Sequence, residues 1–180
     1  SGSLTVLSGT VTKLSVSSYA SPATAGVAGN FTVTAQDASG NTITNYTGTI
    51  HFTSSDTQAD LPANYSFVTG NNGTHPFSAT LKTAGSQSIT ATDTVTTSIT
   101  GSQTGITVSP AAASQIRVET AANGSGNVVS AQNVTSGSSV TAYAITRDQY
   151  GNFVANASAT WSLINKTGGV TDGDLVPAGD

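Results

Sequence analysis

Apolar and polar residues alternate with a period of two along most of the chain, as in Phe31-Thr-Val33-Thr-Ala35, Ile50-His-Phe52 and Ile89-Thr-Ala91. Each run is bounded by Gly, Asn, Asp or Pro. Successive side chains of a strand point to opposite faces, so these runs predict strands with one dry face and one wet face. Thr and Val, whose branched side chains suit a pleated surface, dominate them. Leu, Ala, Glu and Lys never collect at helical spacing, and no α-helix of any length is expected.

The pattern then starts again. Lys13-Leu14-Ser15-Val16 returns as Gln115-Ile116-Arg117-Val118, and Leu4-Thr5-Val6 as Ile106-Thr107-Val108, both at an offset of 102. Asp37-x-x-Gly40-Asn41 returns as Asp148-x-x-Gly151-Asn152, and Ile50-His-Phe52 as Trp161-Ser-Leu163, at an offset of 111. The difference is an insertion in the Gly/Ser/Asn stretch from Asn123 to Ser139, between the first two strands of the second copy, where extra loop costs little. One repeat is thus about 100 residues with about seven short strands, the pattern of an antiparallel sandwich. In this register the second copy reaches only its third or fourth strand. Its apolar face and strand edges would need cover, either from residues further along or from strands given by a neighbouring chain.

Charged residues make up only 8% of the chain, against about 25% in an ordinary soluble domain. Ser, Thr, Asn, Gln and Gly must therefore supply the polar surface. The net charge is −4, and the five basic residues, Lys13, Lys82, Arg117, Arg147 and Lys166, are scattered. Nucleic-acid and anionic-membrane surfaces, which call for clustered Lys and Arg, are not expected partners. No apolar run approaches the roughly 20 residues that span a bilayer, so no membrane insertion is expected. The chain has no Cys and no Met, which excludes disulfides, thiolate metal sites and cysteine catalysis. Low charge with Ser/Thr-rich strands points to an extracellular or cell-surface protein of bacterial or archaeal kind.

Asp37-Ala-Ser-Gly40-Asn41 and Asp148-Gln-Tyr-Gly151-Asn152, each directly after an alternating strand, resemble bacterial immunoglobulin-like repeats of the invasin/intimin kind and the related filamin-like repeats. Tyr46-Thr-Gly48-Thr-Ile50-His-Phe52-Thr-Ser-Ser-Asp56 and the stretch from Phe77 to Ala91 support the likeness in the first copy. The resemblance implies tandem immunoglobulin-like antiparallel β-sandwiches in an all-β chain. Residues 1–8 would be the last strand of a preceding repeat or a tag, 9–109 a complete sandwich, and 110–180 a partial second one, with the short linker Ser109 to Ser114 making a stiff rod. It also implies spacer or adhesion duty on a surface, with neighbouring repeats, copies of itself, glycans or host-cell proteins as partners, and it brings no catalytic residue. A carbohydrate-binding accessory module and a polymerising filament or surface-layer subunit are the alternatives. Asp-x-x-Gly-Asn also has a purely local meaning: Asp bonds amides two residues on, and Gly and Asn tolerate positive φ.

Candidate chemistry is sparse. His51 lies between Ile50 and Phe52, so alternation turns it to solvent, and His75 precedes Pro76 near a hairpin end. Neither is spaced for a Ser-His-Asp arrangement, and no enzyme activity is expected. Calcium, an oxygen-seeking cation, is the one metal considered, with Asp172 and Asp174 as its candidate ligands and Asp37, Asp93 and Asp148 as lesser ones; no other cofactor is expected. Lys13 and Lys82 are candidates for a Lys-to-Asn cross-link. Eight positions match the N-x-S/T acceptor pattern: Asn30, Asn45, Asn64, Asn72, Asn123, Asn133, Asn156 and Asn165. Trp161, aligned with Ile50, is expected in the core of the second copy.

Overall fold

A computed structural model describes residues 9–135 and 137–176, and the expectation for Leu4 to Val6 lies outside them. Among the described residues the ordered structure is strand, apart from two three-residue 3-10 turns at Thr69–Asn71 and Asp172–Asp174. The chain forms two compact units. The first ends at Ala112 and also takes in Asp148–Asn152; the second runs from Ala113 to Arg147 and resumes at Phe153.

The first unit is a two-sheet sandwich. One sheet has the order β1-β3-β6, with β1 at Lys13–Ser17, β3 at Ala28–Gln36 and β6 at Thr74–Thr80. The other has the order β2-β8-β7-β4-β5, with β2 at Ala23–Thr24, β4 at Thr49–Ser54, β5 at Tyr65–Ser66, β7 at Gly85–Asp93 and β8 at Thr100–Ser109. All pairs are antiparallel except β2 with β8, where Ala23 faces Val108 and Thr24 faces Ser109. Pro76 has no amide hydrogen for a ladder, and it sits on β6, the strand at the edge of its sheet beside β3.

The alternation settles what is buried. Leu14 and Val16 of β1 and Phe31, Val33 and Ala35 of β3 face Ile50 and Phe52 of β4, Ile89 and Ala91 of β7, and Ile106 and Val108 of β8. Phe31 ties the layers together, with its ring 5.6 Å from Phe52, edge to face, and 5.6 Å from Phe77. Each Val, Leu, Ile or Phe among them contributes about 1.5–3 kcal/mol when fully buried. Gly101 of β8 runs so near β1 that a Cβ there would lie 1.8 Å from the Leu14 carbonyl oxygen. At Gly105, with φ of +68°, the β7–β8 ladder shifts register between Gln87 and Ile89; the outgoing half of β8 thereby returns Ile106 and Val108 to the interior.

The outward positions are joined by hydroxyls. Thr49 pairs with Ser66 at 2.7 Å, Thr90 with Ser102 at 2.7 Å and Thr92 with Thr100 at 2.8 Å across neighbouring strands. These cross-strand pairs stand where charged residues stand in most sheets.

The second unit holds one three-stranded sheet in the order β11-β10-β9, with β9 at Gln115–Glu119, β10 at Tyr143–Arg147 and β11 at Phe153–Asn156. β9 repeats the strand β1, but not its burial. Leu14 is 3% exposed and its counterpart Ile116 is 72% exposed. The sequence predicts like environments for the two, and the structure corrects that. No second sheet among the described residues stands over the Ile116–Val118 face. The opposite face is covered instead: Arg147 grips Glu119 through two bonds of 2.6 Å and donates to the Gly124 carbonyl at 2.7 Å. The inserted loop lies against that face, where Ile145 and Glu119 are buried. Trp161, expected in the core, lies outside any strand and is 37% exposed. Its counterpart Ile50 is held between β5 and β7, which have no counterparts among the described residues of the second unit.

Candidate functional site

Asp148 and Asn152 of the second Asp-x-x-Gly-Asn turn, together with Asp56, are buried polar residues with many bonds, while the first such turn has the same bonds at the surface. In the first turn, Asp37 Oδ1 accepts from Ser39 N at 2.9 Å and Asn41 N at 2.8 Å, and Oδ2 accepts from Asn41 Nδ2 at 2.9 Å. Gly40 has φ of +86°, the left-handed conformation such a turn requires. The second turn is the same in detail. Asp148 Oδ1 accepts from Tyr150 N and Asn152 N, both at 2.9 Å, Oδ2 accepts from Asn152 Nδ2 at 2.8 Å, and Gly151 has φ of +87°.

The turns differ in what surrounds them. Asn41 is exposed. Asn152 is buried, its Nδ2 donating to the Lys82 carbonyl at 2.7 Å and its Oδ1 accepting from Ala84 N at 2.8 Å. Its amide thus bonds the backbone of the β6–β7 turn as a strand would. Asp148 Oδ2 also accepts from Ala111 N at 2.9 Å, and Tyr150 packs on the core, where a Cβ on Gly26 would meet its hydroxyl. Burial pushes the Asp148 carboxyl up, but the bonds from Asn152, Ala111 and Tyr150 outweigh it and hold it below the usual carboxylate range.

Asp56 shapes the turn that receives Asn152. It is 3% exposed and accepts from Lys82 N at 2.5 Å, Thr83 N at 2.9 Å, Thr83 Oγ1 at 2.6 Å and Gln58 N at 2.9 Å. Against the upward push of burial, these donors also keep its carboxyl below the ordinary range. The sequence assigns Asp56 no role beyond closing the stretch from Tyr46, because Ser54-Ser-Asp56 looks like any polar turn.

The remaining candidates are dispersed. His51 is exposed and its Nδ1 lies 2.8 Å from Asn64 Oδ1; His75 stacks on Tyr65 with ring centres 4.2 Å apart. Asp172 Oδ1 accepts from Lys166 Nζ at 2.6 Å, while Asp174 Oδ2 accepts from Thr171 N at 2.7 Å. Among the described residues no three His, Cys, Asp or Glu side chains gather in one place. Asp93 is bonded by the Tyr46 hydroxyl at 2.5 Å. Lys82 Nζ pairs with Asp60 at 2.7 Å and Lys13 is exposed. All eight acceptor asparagines, Asn30, Asn45, Asn64, Asn72, Asn123, Asn133, Asn156 and Asn165, are exposed. No ring stands beside Trp161 among the described residues.

No family model matches the chain, and no curated protein does. Among solved structures it is similar to domains 4–9 of the surface layer protein SbsC, with 18% identity, TM-score 0.42, and coverage of 82% of this chain and 22% of that one. SbsC domains 5-6 match at 18% identity and TM-score 0.39, over 82% of this chain and 67% of that one. Yersinia pseudotuberculosis InvD matches at 22% identity and TM-score 0.46, over 79% of this chain and 42% of that one. The chain thus spans only part of the length of these proteins. At such identities and scores the likeness adds no weight to the sheet order and core described above.

Proposed function

We propose that the chain is a non-catalytic structural segment, a spacer of an extracellular or cell-surface protein whose partners are neighbouring repeats. The supporting observation is where the first unit takes in and releases the chain. Gly9 lies against Asp37, just past the end of β3, since a Cβ on it would be 2.9 Å from Asp37 Oδ2. Ser109 lies by the start of β3, its carbonyl accepting from Ala25 N at 2.8 Å. The two ends thus sit at opposite poles of a nine-residue strand, about 30 Å apart at roughly 3.3 Å per residue. A pull on them runs along the strands. β1 is drawn along β3, and β8 along β2, so several inter-strand bonds are loaded together instead of one after another.

The cysteine-free chain allows handles to be placed at will in the full protein. With Thr10→Cys and Ala112→Cys, single-molecule stretching should rupture the first unit in one step, at a force several times that found with Thr10→Cys and Ser39→Cys, which unzips β1 from β3. Equal forces in the two geometries would refute the load-bearing reading.

A further inference from the structure

The same turn occurs twice, once engaged and once exposed, and the engaged copy shows what the exposed one fits. Internally the two agree closely. Asp37 N bonds the Asn41 carbonyl at 3.0 Å and Asp148 N bonds the Asn152 carbonyl at 3.0 Å, while Gly40 N and Gly151 N each return to their aspartate's carbonyl at 3.1 Å. The approach of the preceding chain agrees as well: Ala111 N bonds Asp148 Oδ2, and Gly9, its counterpart at the offset of 102, lies against Asp37 Oδ2. What differs is the outward side of the asparagine. Asn152 bonds the Lys82 carbonyl and Ala84 N, whereas Asn41 Oδ1 meets no donor among the described residues.

We propose that the Asp37–Asn41 turn is an interaction surface for another repeat of this kind lying just upstream in the same polypeptide. It would seat on that repeat's β6–β7 turn, Asn41 donating to the carbonyl equivalent to Lys82 and accepting from the amide equivalent to Ala84. The partner is in line and not a separate molecule, because in this chain the Lys82–Ala84 turn is already taken by Asn152. Gly9 beside Asp37 also brings the incoming chain to the position that Ala111 holds at the engaged turn. One contact is weaker: Ser39 stands at the position of Tyr150 and has no ring to pack on the partner's core.

This deepens the spacer reading by naming how one repeat holds the next, and it can fail separately, because the stretching experiment above concerns a single repeat. The test is a chain lengthened by one repeat, residues 1–110 followed by residues 9–180, with amide hydrogen exchange read at Ala84 of each copy. In the 180-residue chain, Asn152→Ala should speed exchange at Ala84 by tenfold or more, which checks the engaged geometry. In the lengthened chain, Ala84 of the leading copy should be protected, and Asn41→Ala in the following copy should release it by a similar factor. Asn41→Asp, which keeps the acceptor and loses the donor, should release it partly while the following copy stays folded. If Ala84 of the leading copy exchanges equally fast with Asn41 present or removed, the proposal is overturned; association between separate 180-residue molecules through this turn would overturn the in-line partner.

Discussion

Replacing Asp56 by Ala would leave Lys82 N, Thr83 N, Thr83 Oγ1 and Gln58 N without their acceptor. Gln58 is exposed and regains water, and the Thr83 hydroxyl can rotate to another acceptor. The two remaining amides, in half-buried residues, lose bonds to a charged group worth about 1.5–3 kcal/mol each. A loss of about 3–6 kcal/mol follows. For a domain of about 100 residues, 1 kcal/mol moves the midpoint by about 4–8 °C, so the first unit should melt at least about 12 °C lower. Calorimetry of the full chain would follow the two units as separate transitions, and only that of the first should move. The pH dependence has a definite sign. The folded carboxyl titrates below its unfolded value, so its contribution is complete at neutral pH and fades as pH falls through the lower, folded value. The gap between the natural chain and Asp56→Asn should therefore be widest near pH 7 and close in acid. A loss below about 1 kcal/mol at pH 7, or a gap that persists in acid, would refute the claim that Asp56 organises the β6–β7 turn.

Three further perturbations separate the units. Arg147→Ala leaves Glu119, 1% exposed, without its hydrogen-bonded partner and with only the more distant charge of Arg117, and should cost the second unit about 3 kcal/mol in urea unfolding, with Glu119→Gln in the same chain recovering part. Gly101→Ala places a methyl group against the Leu14 carbonyl and should cost the first unit about 1–3 kcal/mol, with faster hydrogen exchange along β1 as the local readout. Phe31→Ala removes the ring that packs on both Phe52 and Phe77 and should lower the stability of the first unit by about 3–5 kcal/mol, leaving the second transition in place.

Much of the first unit can be read from its residues. Phe31-Thr-Val33-Thr-Ala35 declares a half-buried strand, and Asp37-x-x-Gly40-Asn41 declares the turn that ends it, because both signals are local. The second unit shows where that reading stops. Alternation tells which residues share a face, but not which face is covered. Ile116 and Val118 share one as expected, yet cover falls on the side of Arg147 and Glu119, because that is where the inserted loop folds. Trp161 was misplaced for a related reason: an inward position exists only where partner strands make an inside. The roles of Asp56 and Asn152 could not be read because their partners lie 26 and 70 positions away, among backbone amides and carbonyls that any residue provides.

The hydroxyl pairs on the outer strands bear on the surroundings the protein can tolerate. Coulombic contacts weaken as dissolved ions shorten the Debye length from about 10 Å at 0.1 M to 3 Å at 1 M, whereas Thr90–Ser102 and Thr92–Thr100 carry no charge to be screened. Among the described residues of the first unit, Lys82–Asp60 is the one ion pair. Its cohesion should thus be nearly indifferent to salinity, from fresh water to brine.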